Sequence, residues 1–365
     1  MKLKYQSILI AILSATSFYS HGAAYEFGRY SYSNLYSPDD KVAASYSYFN
    51  YDIQGNHPTF GSTGDIFNDT HYVQGAVNYF FTDNFSGNAQ YYLSNNIDTQ
   101  HTSGFWQGSS ANVKTRTVAL TGKYQTTPSF SAFAGPTINQ TEINAKFNTN
   151  MNGGFGGLDL DLGDDIGFGY TVGASYHIPK IALRATVAYQ SAVKHSFDTT
   201  ESGALIVNKT GGKASSVSSQ AEIELPETID FDFQTGVAEN TLLTFSAHWR
   251  RWSEHVIKTQ VRGEVVTFDR DSVTYALGLA RQFTPSFGGG IELNYAEGAG
   301  EGNLNPLAPG NGAKGVQVGG KYSFGNTSLF GAAQYKMVKD GKDVSGTIYE
   351  DNSLYGLTVG VEHKF

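Results

Sequence analysis

The chain has 365 residues, with 25 Lys and Arg against 33 Asp and Glu and a formal net charge of -8. That acidity excludes a nucleic-acid binder, which needs a basic face, and the absence of cysteine excludes thiol nucleophiles and thiolate metal sites. Aromatic residues reach 14% and glycine 42 positions, charged residues only 16%, yet mean hydropathy is -0.30, a combination that suits a barrel whose lipid-facing and lumenal side chains alternate.

At the N-terminus, Lys2 and Lys4 precede the apolar run Ile8-Leu9-Ile10-Ala11-Ile12-Leu13 and the small residues Gly22-Ala23-Ala24. This is the layout of a secretory signal peptide over residues 1–24. The run is too short for a spanning helix, which needs about 20 apolar residues. Residues 25–41 then form a short periplasmic or lumenal segment, too short to bury a core of its own. Residues 42–365 are assigned to a membrane-spanning antiparallel β-barrel.

About fourteen strands are predicted from Val42 onward, joined alternately by short turns and long connections. Short turns fall near Thr82-Asp83-Asn84, Thr126-Thr127-Pro128, Pro179-Lys180, Glu239-Asn240, Thr284-Pro285 and Gly325-Asn326, all rich in turn-forming residues. Long connections fall near residues 55–69, 98–112, 141–165, 198–226, 258–270, 298–313 and 339–352. Short turns on one side and long loops on the other place both termini in the periplasm of a Gram-negative outer membrane, which requires an even strand number.

The alternation is explicit in several runs. Ile166, Phe168, Tyr170, Val172, Ala174 and Tyr176 alternate with Gly167, Gly169, Thr171, Gly173 and Ser175. In the last strand, Tyr355, Leu357, Val359, Val361 and Phe365 alternate with Gly356, Thr358, Gly360, Glu362 and Lys364. A soluble sandwich also alternates, but it does not enclose charges such as Arg184, Glu292, Lys321 and Glu362. A terminal Phe365 is the usual ending of barrels inserted by the outer-membrane assembly machinery, an expected partner alongside outer-membrane lipid and lipopolysaccharide. Pro136 lies inside the run from Ser129 to Gln140 and cannot donate a ladder hydrogen bond, so it marks a wall kink or the start of a loop.

Candidate chemistry is sparse. The nine histidines are scattered, and no nucleophile elbow or metal-binding pair appears, so neither an enzyme nor a cofactor or metal site is expected. Phe147, Met151, Phe155, Leu158, Leu160 and Leu162 in the connection 141–165 read as a ligand-capture loop, or as a cap packed on neighbouring loops. The same connection carries Asp159, Asp161, Asp164 and Asp165, a solvated acidic stretch without a full Ca²⁺ ligand loop. Arg184, Lys194, His248 and Arg250 are candidate lumen residues, either receiving an anionic head group or pairing with acids such as Glu292 and Glu362.

Two stretches carry a family likeness. One runs from Asn144-Ala145-Lys146-Phe147 through Gly167-Phe168-Gly169-Tyr170 to Tyr189-Gln190-Ser191-Ala192-Val193-Lys194-His195-Ser196-Phe197. The other starts at Leu225-Pro226-Glu227 and ends at Trp252-Ser253-Glu254. In these the chain resembles the FadL/TodX-type outer-membrane transporters of long-chain fatty acids and other hydrophobic compounds, first in their third extracellular loop and following strand pair, then in a Leu-Pro-Glu strand entry and a Trp-Ser strand ending. It departs from them at the start, where only Tyr25 to Lys41 precede the first strand and the family's Asn-Pro-Ala hatch motif is absent. Tyr25, Phe27, Tyr30, Tyr32 and Tyr36 suit a peg in the lumen. The resemblance implies a monomer that takes up a hydrophobic small molecule passively, captures it at extracellular loops and releases it through the barrel or a gap in its wall, here near Pro136. A diffusion porin for small polar solutes and a loop-mediated surface adhesin are the alternatives.

Overall fold

The structure, a computed structural model, describes residues 27–149, 157–298 and 304–365. The signal-peptide assignment, and Met151 and Phe155 of the capture loop, lie outside the described residues. Sixteen strands form one antiparallel sheet. They are β1 (Lys41–Asp52), β2 (Thr70–Thr82), β3 (Phe85–Gln100), β4 (Ser110–Thr127), β5 (Phe130–Phe147), β6 (Leu158–Ile178), β7 (Leu183–Gln190) and β8 (Val193–Ser202), followed by β9 (Ser216–Leu225), β10 (Thr228–Ala238), β11 (Thr241–Arg250), β12 (Ser272–Gln282), β13 (Phe287–Glu297), β14 (Gly312–Phe324), β15 (Thr327–Val338) and β16 (Ser353–Lys364). β7 with β8, and β9 with β10, are each one stave broken in the middle, at Ser191-Ala192 and at Pro226-Glu227. Fourteen staves therefore close the barrel, sealed where β1 pairs β16 from Lys41↔Lys364 to Asp52↔Ser353. No described helix is long and apolar enough to cross a membrane.

The two-residue period sets the two faces. On β6 the alternating residues Ile166, Phe168, Tyr170 and Val172 are exposed, whereas Thr171 and Ser175 are buried. The outward face is a lipid belt. Tyr79, Phe81, Phe85, Tyr124, Phe283 and Phe287 crowd beside the short turns at one rim, with the Phe81 and Phe85 rings 5.4 Å apart, an aromatic girdle. All six short turns fall where the sequence places them, and Asn240 and Gly325 supply the left-handed backbone that two of them require.

The long connections are shorter than the sequence suggests. β8 and β9 pair from Val193↔Leu225 to Ser202↔Ser216, so residues 198–226 are largely a hairpin capped by the short helix Ala204–Lys209. Its outward residues are polar because it projects past the lipid belt, so the sequence lacks the lipid signature although the backbone is fully paired. β5 reaches Phe147 and β6 starts at Leu158 for the same reason.

Pro136 does not break its strand. Its residue pair with Tyr170 persists on one side. On the other, pairing lapses between Ala119↔Thr137 and Gly122↔Ala134 and then resumes in the same register. Proline removes one donor, and the ladder on either side holds the strand in line.

Inside, charges pair. The Glu362 carboxylate takes Lys321 Nζ at 2.7 Å and Lys41 Nζ at 3.3 Å, all three nearly inaccessible. Removing the shared acid leaves two buried ammonium groups without it, a loss of about 3–5 kcal/mol. Glu362→Ala is expected to lower markedly the temperature at which the folded barrel converts to its unfolded band on SDS gels, while the exposed Glu239→Ala leaves it unchanged.

Candidate functional site

The extracellular end of the barrel holds an apolar cluster. Leu158, Leu160 and Leu162 of β6 meet Ile143 of β5, Phe197 of β8 and Ile223 of β9, under Ile206, Trp252, Ile257 and Leu307 from the loops. The three leucines are not exposed in a loop: they lie in a strand and are at most 3% exposed, with Phe147 packed at the cluster's edge. The reason is local. Even-numbered residues of β6 face lipid from Ile166 downward but face inward from Leu162 upward. Between them the register slips by one residue, so that Ile143 faces Gly163 and Asn144 faces Asp161. Gly163 takes φ 66°, a left-handed conformation that glycine adopts without a Cβ penalty. This bulge turns the alternation over. Asp159 and Asp161 then face out, Asp159 to Lys146 at 3.5 Å and Asp161 to the Gly163 amide at 2.9 Å.

Below the cluster, the N-terminal segment crosses the lumen. Tyr30 Oη donates to Asn88 at 2.8 Å, and the Ser31 amide donates to Gln90 at 3.0 Å, both on β3. Tyr32 Oη donates to Asp230 of β10 at 2.7 Å, and Arg29 lies 3.6 Å from both Asp230 and Asp232. Lys123 of β4 donates to the Leu35 carbonyl, and Arg184 of β7 sits over the Tyr36 ring. Two distant walls are thereby tied through one short segment.

The predicted lumen residues separate into two groups. Arg184, His248 and Arg250 face inward: His248 bonds Asp230, and Arg250 donates to Asn95 at 3.1 Å and lies over Trp252. Lys194 does not. It is 83% exposed and pairs Glu224 at 3.7 Å on the outside of the β8–β9 hairpin, because the inward positions of β8 are Val193, His195 and Phe197.

Besides the short lapse at Gly135-Pro136, the ladder of the described wall is interrupted over two longer stretches. The β2–β3 ladder runs from Thr82↔Phe85 only to Gly75↔Tyr91. Beyond it β3 bulges between Leu93 and Asn95, Asn96 Nδ2 reaches Thr70 Oγ1 at 3.0 Å, and the Phe27 amide bonds the Ser94 carbonyl at 3.0 Å. A lumenal cavity bordered by Ser31, Gln74, Gly75, Gln90 and Tyr91 abuts this break. The second break lies between β6 and the β7–β8 stave, which pair only at Thr171↔Gln190 and below and again at Asp161↔Thr200 and above. A second cavity, bordered by Arg29, Asn95, Asn139, Ser191, Val193 and Arg250, opens beside it. Sequence reasoning missed both. The only signals were the Ser-Ala and Pro-Glu steps that split two staves and the glycines at 163, 167 and 169.

The cluster is roofed by residues 251–271. Ile257–Thr259 and Gly263–Val266 pair as a small hairpin, and the buried Glu201 accepts bonds from Thr259 Oγ1 and from the amides of Val261 and Arg262 at 2.8–2.9 Å. His255 packs between Trp252 and Phe268 and bonds the Glu224 carbonyl at 2.7 Å. Burial lowers its imidazole to about 4, Arg250 adding to the effect while the Glu224 carbonyl opposes it. The opened loop takes up a proton below the ordinary value of 6.5 that the closed loop refuses. Loop closure is thus at full strength above pH 6.5 and loses about 1.4 kcal/mol per pH unit as the pH falls toward 4. Amide-exchange protection of residues 257–266 is expected to fall across that window, and His255→Phe to remove the slope.

The family model for outer membrane protein transport proteins (OMPP1/FadL/TodX) matches residues 36–361. A FadL homologue from Pseudomonas aeruginosa superposes with a TM-score of 0.76 at 14% identity, covering 91% of this chain and 92% of that one. The toluene transporter TbuX of Ralstonia pickettii gives 0.64 at 13%, covering 94% and 95%, and the toluene transporter TodX of P. putida gives 0.66 at 12%, covering 91% of each chain. At such identities these likenesses speak for the fold alone. A search of curated proteins finds no match. The match to the family model extends over most of the barrel, and the chain belongs to the OMPP1/FadL/TodX family of outer membrane transport proteins.

Proposed function

We propose that this protein takes up hydrophobic compounds, long-chain fatty acids foremost, across the outer membrane by passive capture and lateral release. The observation that carries the reading is the apolar cluster of Leu158, Leu160, Leu162, Ile143 and Phe197, which lies at the extracellular mouth. Directly beneath, residues 29–36 are bonded to opposite walls, which favours sideways release over a straight aqueous path. That crossing also disfavours a steadily open diffusion porin.

Arg250 directs the choice of substrate. Its guanidinium lies over the ring of Trp252, a member of the cluster, so an amphipathic ligand could keep its tail among the leucines and its carboxylate at Arg250. A neutral aromatic hydrocarbon would use the leucines alone.

The purified barrel is expected to bind radiolabelled oleate saturably. Leu160→Asp with Leu162→Asp should weaken binding more than tenfold, since each buried leucine contributes about 1.5–3 kcal/mol. Arg250→Met should weaken oleate binding and spare toluene. Absence of binding together with a steady ion conductance in planar bilayers would instead establish a diffusion channel.

A further inference from the structure

The break between β6 and β8 is closed by side chains instead of by a backbone ladder. Residues 162–170 and 191–199 face each other there without ladder pairs. At its foot, the Ser191 amide bonds the Tyr170 carbonyl at 2.9 Å, and the Tyr170 amide donates to Ser191 Oγ at 3.0 Å. Above that, Gly167 and Gly169 leave the inner face of β6 bare, and the side chains of Val193 and His195 lie against it. A Cβ on Gly167 would stand 2.5 Å from Val193 Cγ1 and 2.8 Å from His195 Cε1.

One hydrogen-bonded bar crosses the seam. Asp165 accepts from His195 Nδ1 at 3.0 Å and from the Ser196 amide at 3.2 Å. His195 Nε2 lies 3.1 Å from Thr141 Oγ1, and Thr141 meets Thr115 at 3.1 Å. The bar thus links β8 to β6, β5 and β4. Its order of carboxylate, imidazole and hydroxyl is that of a hydrolytic relay, but the side chains of His195 and Thr141 are wholly buried, which closes the hydroxyl to a substrate and suits a structural bar.

What lies on either side is apolar. Inward, Leu162 and Phe197 belong to the capture cluster, and His195 stacks on Phe197 at 5.6 Å. Outward, Ile166 and Phe168 are 54% and 71% exposed on the lipid face. Above the Ser191–Tyr170 backbone bond at its foot, opening this seam frees the Ser196 amide and displaces a few side chains, whereas opening any ladder-sealed seam means breaking a row of backbone bonds that the bilayer cannot replace.

We propose that the β6–β8 seam is a second lateral exit, leading an apolar or tail-first amphipathic ligand from the capture cluster straight into the membrane, with the Asp165–His195–Thr141 bar as its latch. The proposal rests on the hydrophobic-uptake reading above. It makes Asp165, His195 and Thr141 positioning residues for release, separate from the leucines that hold the ligand.

The chain has no cysteine, so an introduced pair is the only one present. Asp165→Cys with His195→Cys, whose native side chains meet at 3.0 Å on one face, would lock the seam, and Thr70→Cys with Asn96→Cys would lock the β2–β3 break. The readout is uptake of radiolabelled oleate by cells whose only route is this protein, with binding to the purified folded barrel measured in parallel. Oxidation of the first pair is expected to slow uptake at least threefold, reversibly by reductant, with binding unchanged. Thr141→Val, nearly isosteric and free of any cross-link, is expected to speed uptake at least twofold. Uptake at the unmodified rate in both variants, with uptake abolished by the oxidised Thr70/Asn96 pair, would overturn the second exit and leave the transport reading standing. A native protein that neither binds oleate nor supports its uptake would overturn both.

Discussion

In hydrocarbon a backbone amide without a partner has no water to fall back on, so a chain that spans with strands must close its sheet and pair almost every peptide group. The β1–β16 seam is the consequence, and so is the register past Pro136, where the ladder to β4 lapses at Gly135 and Pro136 and resumes unshifted while the ladder to β6 runs on. The same constraint gives the two wall breaks their meaning. Each is a place where the ladder is given up, and each is compensated by specific groups: the Phe27 amide and Asn96 at β2–β3, and Ser191, Asp165 and His195 at β6–β8.

The interior obeys a related rule. Charges enclosed in a narrow lumen need partners, because burying one alone is costly. Lys41, Lys321 and Glu362 satisfy one another near the periplasmic rim. Asp230 gathers Arg29, Tyr32 and His248 at mid-lumen. In the second case one partner set comes from the N-terminal segment, so the network that neutralises the wall also holds that segment in place. Phe27, Tyr30, Tyr32 and Leu35 also pack against barrel residues such as Phe49, Tyr92 and Phe133, so apolar contacts hold this segment together with the charges.

The capture cluster depends on one residue of backbone geometry. Leucines at 158, 160 and 162 continue the parity of the lipid-facing residues below them, and on a regular strand they would face lipid. The Gly163 bulge turns them inward, and Phe197, Ile223 and the roof loop then have something to pack against.

The sequence by itself determined the class of structure, because a strict two-residue alternation of apolar and small or polar residues, punctuated by turn formers, has few solutions besides a closed membrane barrel. The family likeness and the six periplasmic turns were legible for the same reason: they depend on residues adjacent in the chain. The tertiary structure alone decided which way each stretch faces above the lipid belt. Lys194 looks like a lumen residue until the β8–β9 hairpin shows it on the outside, and Pro136 looks like a gap until its neighbours hold it in register. The breaks, the bar across the β6–β8 seam and the apolar cluster join residues far apart in sequence, and pairing between strands, not the pattern within any one of them, brings those residues together.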